Sequence, residues 1–288
     1  MNEPEIDEAT GVETTGHEWD GIKELNNPLP RWWLWTFYGC IGIGVAISIL
    51  YPAWPLWGGA TPGLLHYSTR GDLNADLAAA QAGQAANIAK IAATPAAQIA
   101  ADPELSRYAI AGGASAFKVT CAQCHGTGAE GGIGYPNLND DEWIWGGSID
   151  NIYATITHGA RDPNDTDTHM NIMPNFGTDA LLTGDQIGTV AAYVASLSGL
   201  PGGKSTPEGI KLFADNCAAC HGDNAKGKPD LGGPDLTDQI WLYHGSLDAI
   251  IAQVTHPRHG SMPAWGKRLG DTTVKELAVY VHSLGGGK

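Results

Sequence analysis

Two short groups of residues can do chemistry: Cys121-Ala-Gln-Cys124-His125 and Cys217-Ala-Ala-Cys220-His221. Two thiols three residues apart lie on roughly one face of a helical turn, with an imidazole beside them. Such a group can form thioether bonds to the two vinyl groups of one haem and present its histidine to the iron, which is the pattern of c-type haem attachment. A lone Cys-x-x-Cys can equally be half a zinc site or a redox dithiol. Zinc needs four ligands per site, and the fifth cysteine, Cys40, stands alone in an apolar run, so cysteine cannot complete two such sites. The expected cofactors are therefore two covalently bound haem c, attached through Cys121, Cys124, Cys217 and Cys220, with His125 and His221 on the irons.

Each iron then needs a second axial ligand. Apart from Met1 the chain has only Met170, Met173 and Met262, and the last two each precede a proline at matching positions. Core packing is the ordinary use of methionine, but a soft thioether suits haem iron and His/Met ligation raises its potential. Met173 and Met262 are the expected ligands. Met170 rivals Met173 for the first haem, and the sequence leaves open whether each methionine serves the haem of its own domain. Pro136 and Pro234 follow the two histidines; a carbonyl there can accept the Nδ1–H and fix ring and tautomer, although a turn is the plainer use of proline. Arg161, Arg258 and Arg268 are candidate partners of haem propionates. His158, His169, His244, His256, His259 and His282 are expected at the surface or in packing, with His158 and His259 as weaker rivals for iron.

The elements that must hold these residues form a repeat, one unit from about Tyr108 to Ser198 and another from about Thr206 to Gly285. Gly113-xxx-Phe117 and Gly209-xxx-Phe213 lead into the cysteines; Pro136-Asn-Leu138 matches Pro234-Asp-Leu236; Trp143 matches Trp241; His158-Gly matches His259-Gly; VAAYVASLSG matches LAVYVHSLGG. Between His158 and Met173 the first unit carries a 12-residue polar insertion centred on ARDPNDTDTHMN, expected as a surface loop. With almost no β alternation, each unit reads as helical, and Phe117 is expected to meet Tyr193, and Phe213 Tyr280, where first and last helices cross.

From Trp32 to Tyr51 no residue is charged, and tryptophans crowd both ends. Twenty residues at 1.5 Å span about 30 Å, a hydrocarbon core, and aromatic belts favour both interfaces. We read residues 32–53 as a transmembrane helix. The acidic stretch before it is unlike a signal peptide. Lys23 and Arg31 precede the helix and no basic residue follows until Arg70, so residues 1–31 are expected in the cytoplasm. Gly44 and Ser48, in line with Cys40, and the pair Gly42 and Ala46, make small-residue stripes that suit a helical partner. Residues 54–107 read as a connector: irregular to Gly71, then Ala- and Gln-rich helix interrupted by Pro95. The expected fold is all-α, one N-terminal transmembrane helix plus two tandem cytochrome domains at 108–199 and 200–288. The net charge of −15 disfavours nucleic acid and favours a basic protein partner.

On Cys-x-x-Cys-His, Pro-x-Leu and Met-Pro, the two units resemble class I cytochromes c. TTGHEWDGIKELNNPLPRWW, YPAWPLW, HGARDPNDTD and DQIWLYHGS make the whole chain similar to the dihaem subunit family (CcoP/FixP, subunit III) of cbb3-type cytochrome c oxidases. That resemblance implies a non-catalytic electron-transfer subunit of a proton-translocating terminal oxidase in a bacterial inner membrane. Its implied partners are a catalytic haem–copper subunit that reduces oxygen, a monohaem cytochrome c subunit and a cytochrome c donor. Haem attachment to this motif occurs outside the bacterial cytoplasmic membrane, so the haem domains are expected in the periplasm. A free-standing membrane-anchored dihaem carrier, a dihaem peroxidase and a haem gas sensor are the competing readings. Six-coordinate iron leaves no open position for peroxide, and the chain shows no signalling domain.

Overall fold

The computed structural model describes residues 5–285. The chain divides into two compact units, the boundary falling after Ala82.

The first unit opens with an antiparallel hairpin, β1 (Thr14–Trp19) and β2 (Ile22–Leu25). Trp19 faces Ile22, so Asp20 and Gly21 form a two-residue loop, and both have positive φ, at 48° and 84°. Asp-Gly is a strong signal for that turn, and the sequence reading missed it. Next comes α1 (Arg31–Leu50), charge-free after Arg31 and with no buried residue. It is long and apolar enough to cross a membrane. Tyr51 precedes Pro52 and takes an extended backbone, which ends the helix slightly earlier than expected. A two-residue ribbon, β3 (Pro55–Leu56) against β4 (Gly59–Ala60), follows.

Helix α2 (Thr69–Ala93) runs across the boundary, and Pro95 separates it from α3 (Ala96–Ala101), as the connector reading expects. In the second unit α4 (Pro103–Thr120) starts on an Asp102 cap that accepts from the Glu104 and Leu105 amides at 2.9 and 3.1 Å. Then follow α5 (Ala122–His125), α6 (Ile149–His158), α7 (Gly184–Leu197), α8 (Pro207–Asn216), α9 (Ala218–His221), α10 (Leu247–Thr255), α11 (Gly266–Leu269) and α12 (Asp271–Leu284). Ser148, Thr183, Thr206 and Ser246 cap α6, α7, α8 and α10, each satisfying an amide that the first turn leaves unpaired.

The packing corrects one expectation. Phe117 meets Tyr280, with centroids 5.4 Å apart, and Phe213 meets Tyr193 at 5.5 Å, both edge-on. The core around Phe117 is completed by Val274, Leu277, Ala278 and Val281 of α12, from the second repeat. The core around Phe213 is completed by Ile187, Val190, Ala191 and Val194 of α7, from the first. The closing helices are exchanged. Only residues 198–206 separate α7 from α8, and elements joined by a short connection tend to pack together. With α7 on α8 and α10, α4 and α6 are left for α12. A third cluster, Ile91, Ala96, Ile99, Ala109, Ile149 and Val279, covers the other side of α12.

Candidate haem-binding sites

In both repeats a helix delivers the first cysteine as the cap of a single turn. His125 N–H donates to the Cys121 carbonyl at 3.0 Å and His221 N–H to the Cys217 carbonyl at 3.0 Å, so two thiols and an imidazole leave the same turn. All four motif thiols are free. Burial pushes the Cys121 thiol up and the Cys217 thiol to about 11, which keeps both in the protonated form at neutral pH.

The chain then doubles back. The Gly131 amide donates to the His125 carbonyl at 2.7 Å and the Gly227 amide to the His221 carbonyl at 2.8 Å. Both glycines have positive φ (69° and 83°), and a Cβ on either would lie 2.5 Å from a backbone oxygen. Only glycine allows that approach. The turn brings the Pro136 carbonyl 3.0 Å from His125 Nδ1 and the Pro234 carbonyl 3.1 Å from His221 Nδ1. A carbonyl only accepts, so Nδ1 carries the proton and Nε2 keeps its lone pair for a metal. Burial lowers both histidine pKa values, holding the rings neutral.

The methionines follow the exchanged helices. Met262, Cys121 and Trp143 all pack against the Phe117 core. Met173, Cys217 and Trp241 pack against the Phe213 core, and Met173 lines a cavity of about 690 Å³ together with Cys217, Cys220, His221 and Trp241. The Cys217 turn thus shares a cavity with the methionine of the first repeat, and Cys121 borders the same core as the methionine of the second. Met170 is 62 % exposed and is not among the lining residues. Arg161 and Arg258 both line this second cavity, although Arg161 belongs to the first repeat. Arg161 is held by the Gly260 and Asn171 carbonyls, and Arg258 lies over the Tyr243 ring at 4.4 Å. Arg268 stacks on Trp265 at 4.3 Å, and Trp265 borders the Phe117 core. His158 pairs with Asp165 at 3.0 Å, and His259 hydrogen-bonds the Met173 backbone.

The residues fit a haem. The cavity has the size and apolar lining of a cofactor site, and its donor set is two free thiols, a neutral imidazole nitrogen and a thioether. Among the described residues, Trp143 Nε1 and Trp241 Nε1 are buried with no hydrogen-bond partner. They occupy equivalent repeat positions and would suit an acceptor on the prosthetic group. Sequence reading paired these tryptophans but gave them no role; their placement beside the two cysteine motifs was the signal.

A family model described as the N-terminal domain of cytochrome oxidase-cbb3, FixP, matches residues 11–58. A second, cytochrome c oxidase, cbb3-type, subunit III, matches twice, at 109–194 and 204–281. The cbb3-type cytochrome c oxidase subunit FixPc of Rhizobium leguminosarum bv. viciae is 57% identical, with all of both chains covered. Subunit FixP of Rhizobium meliloti is 53% identical over 98% of each chain, and subunit CcoP of Cereibacter sphaeroides 50% identical over 96% of this chain and 95% of its own. With family matches over most of its length, and half or more of its residues shared end to end with these relatives, the chain belongs to the FixP/CcoP family of cbb3-type cytochrome c oxidase subunits.

Proposed function

We propose that this chain holds two haem c, one on Cys121 and Cys124 with His125 and Met262 as axial ligands, the other on Cys217 and Cys220 with His221 and Met173. The observation that carries the reading is the matched pair of free dithiols and carbonyl-oriented histidines, with Met173 in one cavity with the Cys217 motif and Met262 on the same core as Cys121. Haem supplies a one-electron iron couple when bound. With haem bound, the chain's own histidine and methionine would ligate each iron, shield it and tune it: thioether ligation and an apolar surround would both favour the reduced state. Arg161, Arg258, Trp143 and Trp241 are the groups available to propionates.

In this reading α1 anchors the chain in the inner membrane, with residues 1–31 cytoplasmic and the haem domains, 108–199 and 200–288 in sequence, periplasmic. The acidic surface attracts a basic cytochrome c donor, from which the chain takes electrons for a catalytic haem–copper subunit and beside which a monohaem subunit sits. Capture of the tagged chain from mildly solubilised native membranes tests this. A reduced-minus-oxidised spectrum with b-type beside c-type haem, two haem c per chain and oxygen consumption is the expected result. Haem c alone, with no oxygen uptake across several gentle detergents, points instead to a free-standing carrier.

A further inference from the structure

The polar insertion of the first repeat reads as a surface loop, but its first residues grip the segment that carries Met262. Ala160 and Met262 exchange both backbone hydrogen bonds, each at 2.9 Å. Pro263 has no amide hydrogen. The next free amide, of Ala264, donates to Asp162 Oδ2 at 2.7 Å, and that of Trp265 to the Ile156 carbonyl at 3.0 Å. Every amide from Met262 to Trp265 is therefore satisfied by the first repeat, and Asp162 is the only side chain among the acceptors. Asp162 is buried; its other oxygen accepts from the Asn164 amide at 2.8 Å, and its own amide donates to Thr168 Oγ1 at 3.2 Å. Between Ala160 and Asp162, Arg161 sits in the left-handed region at φ 56°. A non-glycine residue stays there only where its surroundings over-determine it. The Met173 segment has a different support: Gly177 and Thr178 amides donate to the Thr255 carbonyl at 3.2 and 3.1 Å.

We propose that Asp162 is a positioning residue for the Met262 thioether, its carboxylate fixing the loop that presents this methionine to the half of the molecule carrying Cys121. The inference rests on the reading above that Met262 ligates a haem. An ionised carboxylate accepting from backbone amides makes a strong, short hydrogen bond. Hydrogen bonding by the Ala264 amide first, then by Asn164, holds the Asp162 carboxyl below the usual carboxylate range, so the strap keeps its charge at neutral pH. Without it, Ala264 loses its acceptor, and the Met262 segment keeps the Ala160 bridge with the Ser261 and Trp265 bonds on either side of it.

The test compares Asp162→Ala and Asp162→Asn with Asp167→Ala, an exposed carboxylate of the same loop, in the full haem-loaded chain. The far-red absorption of thioether-ligated ferric haem is recorded, and imidazole is titrated against the oxidised protein as a competing ligand. In Asp162→Ala one haem of the two is expected to bind imidazole about tenfold more tightly or better, and that haem's share of the far-red absorption is expected to fall. Asp162→Asn, which keeps one acceptor oxygen, should lie between, and Asp167→Ala should match wild type. In a Met262→Ala background Asp162→Asn should change neither readout further. Wild-type absorption and imidazole affinity in both Asp162 variants at full haem content would overturn the proposal, as would an equal change at both haems. If Asp162→Ala does not accumulate, Asp162→Asn alone decides by the same readouts. Absence of haem c from the wild-type chain is a separate result and removes the functional reading itself.

Discussion

The Phe117 half and the Phe213 half are built from one repeated sequence pattern, yet they are supported differently. In the first, α12 is covered on both sides: Leu277 and Val281 face the Phe117 core, while Val279 joins the cluster of Ile91, Ile99 and Ala109. In the second, α7 faces one core, that of Phe213 and Ile250. The first half also has the longer leading helix, 18 residues against 10, and the closer helix crossing. A Cβ on Gly113 would lie 2.2 Å from the Glu276 carbonyl oxygen; one on Gly209 would lie 3.0 Å from Tyr193 Cβ. Equal chemistry at the two Cys-x-x-Cys-His turns therefore rests on unequal scaffolds. The repeat supplies the same candidate residues twice; the elements around them differ.

The sharpest way to break this comparison is to cut one core. Leu277 is fully buried, and Leu277→Ala should cost about 2–5 kcal/mol. Hydrogen exchange should then show lost protection in α4 and α6, with α8 and α10 largely spared. Val190→Ala removes less volume and should cost about 0.5–2 kcal/mol, with the loss confined to α8 and α10. Should Leu277→Ala instead release α8 and α10, the exchange of closing helices is wrong.

A smaller effect separates the two crossings. Gly113→Ala forces a methyl against backbone, where nothing can rotate away, and should cost about 1–3 kcal/mol. Gly209→Ala meets Tyr193 Cβ at 3.0 Å and the Thr189 carbonyl oxygen at 3.2 Å, a looser fit that a small shift relieves, and should cost under about 1 kcal/mol. Urea unfolding followed by far-UV circular dichroism ranks them. Equal costs would mean that the first half gives way as readily as the second.

These differences mark what the sequence could and could not say. The cysteines, histidines, prolines and methionines of the candidate sites stood out in the sequence because c-type haem attachment would use those types at those spacings, and the repeat shows each twice. The caps of α4, α7 and α8, which are Asp102, Thr183 and Thr206, went unread, although each is a capping residue standing just before its helix. The partner of each leading helix was not legible. Tyr193 and Tyr280 lie in closing helices of nearly the same apolar pattern, so either could cover Phe117 or Phe213, and the choice lies in chain connection rather than in local preference. Asp162 was hidden for a related reason. Inside a run of Asp, Asn and Pro it looks like any solvated turn residue, and only the fold brings Ala264 to it, 102 residues away.

The smallest effect concerns a proton that both repeats share. Glu142, from the first, faces Asp238 and Asp235, from the second, with Asp140 beside them. Burial, then a hydrogen bond with Asp238, then the neighbouring negative charges raise the Glu142 carboxyl to about 8. A carboxyl in the unfolded chain titrates near its ordinary value of about 4.3. Between these limits the folded state binds the extra proton, so this group's contribution to stability is fully present below about pH 4 and is lost as pH rises towards 8. Glu142→Gln keeps the shape and the hydrogen-bonding capacity of the protonated acid without the titration. The thermal midpoint of the wild type should therefore fall more than that of Glu142→Gln between about pH 5 and pH 8, with the variant the more stable at the alkaline end. Parallel profiles would show that Glu142 is ionised in the fold throughout, and that the facing carboxylates of the two repeats are kept apart by solvent rather than joined by a proton.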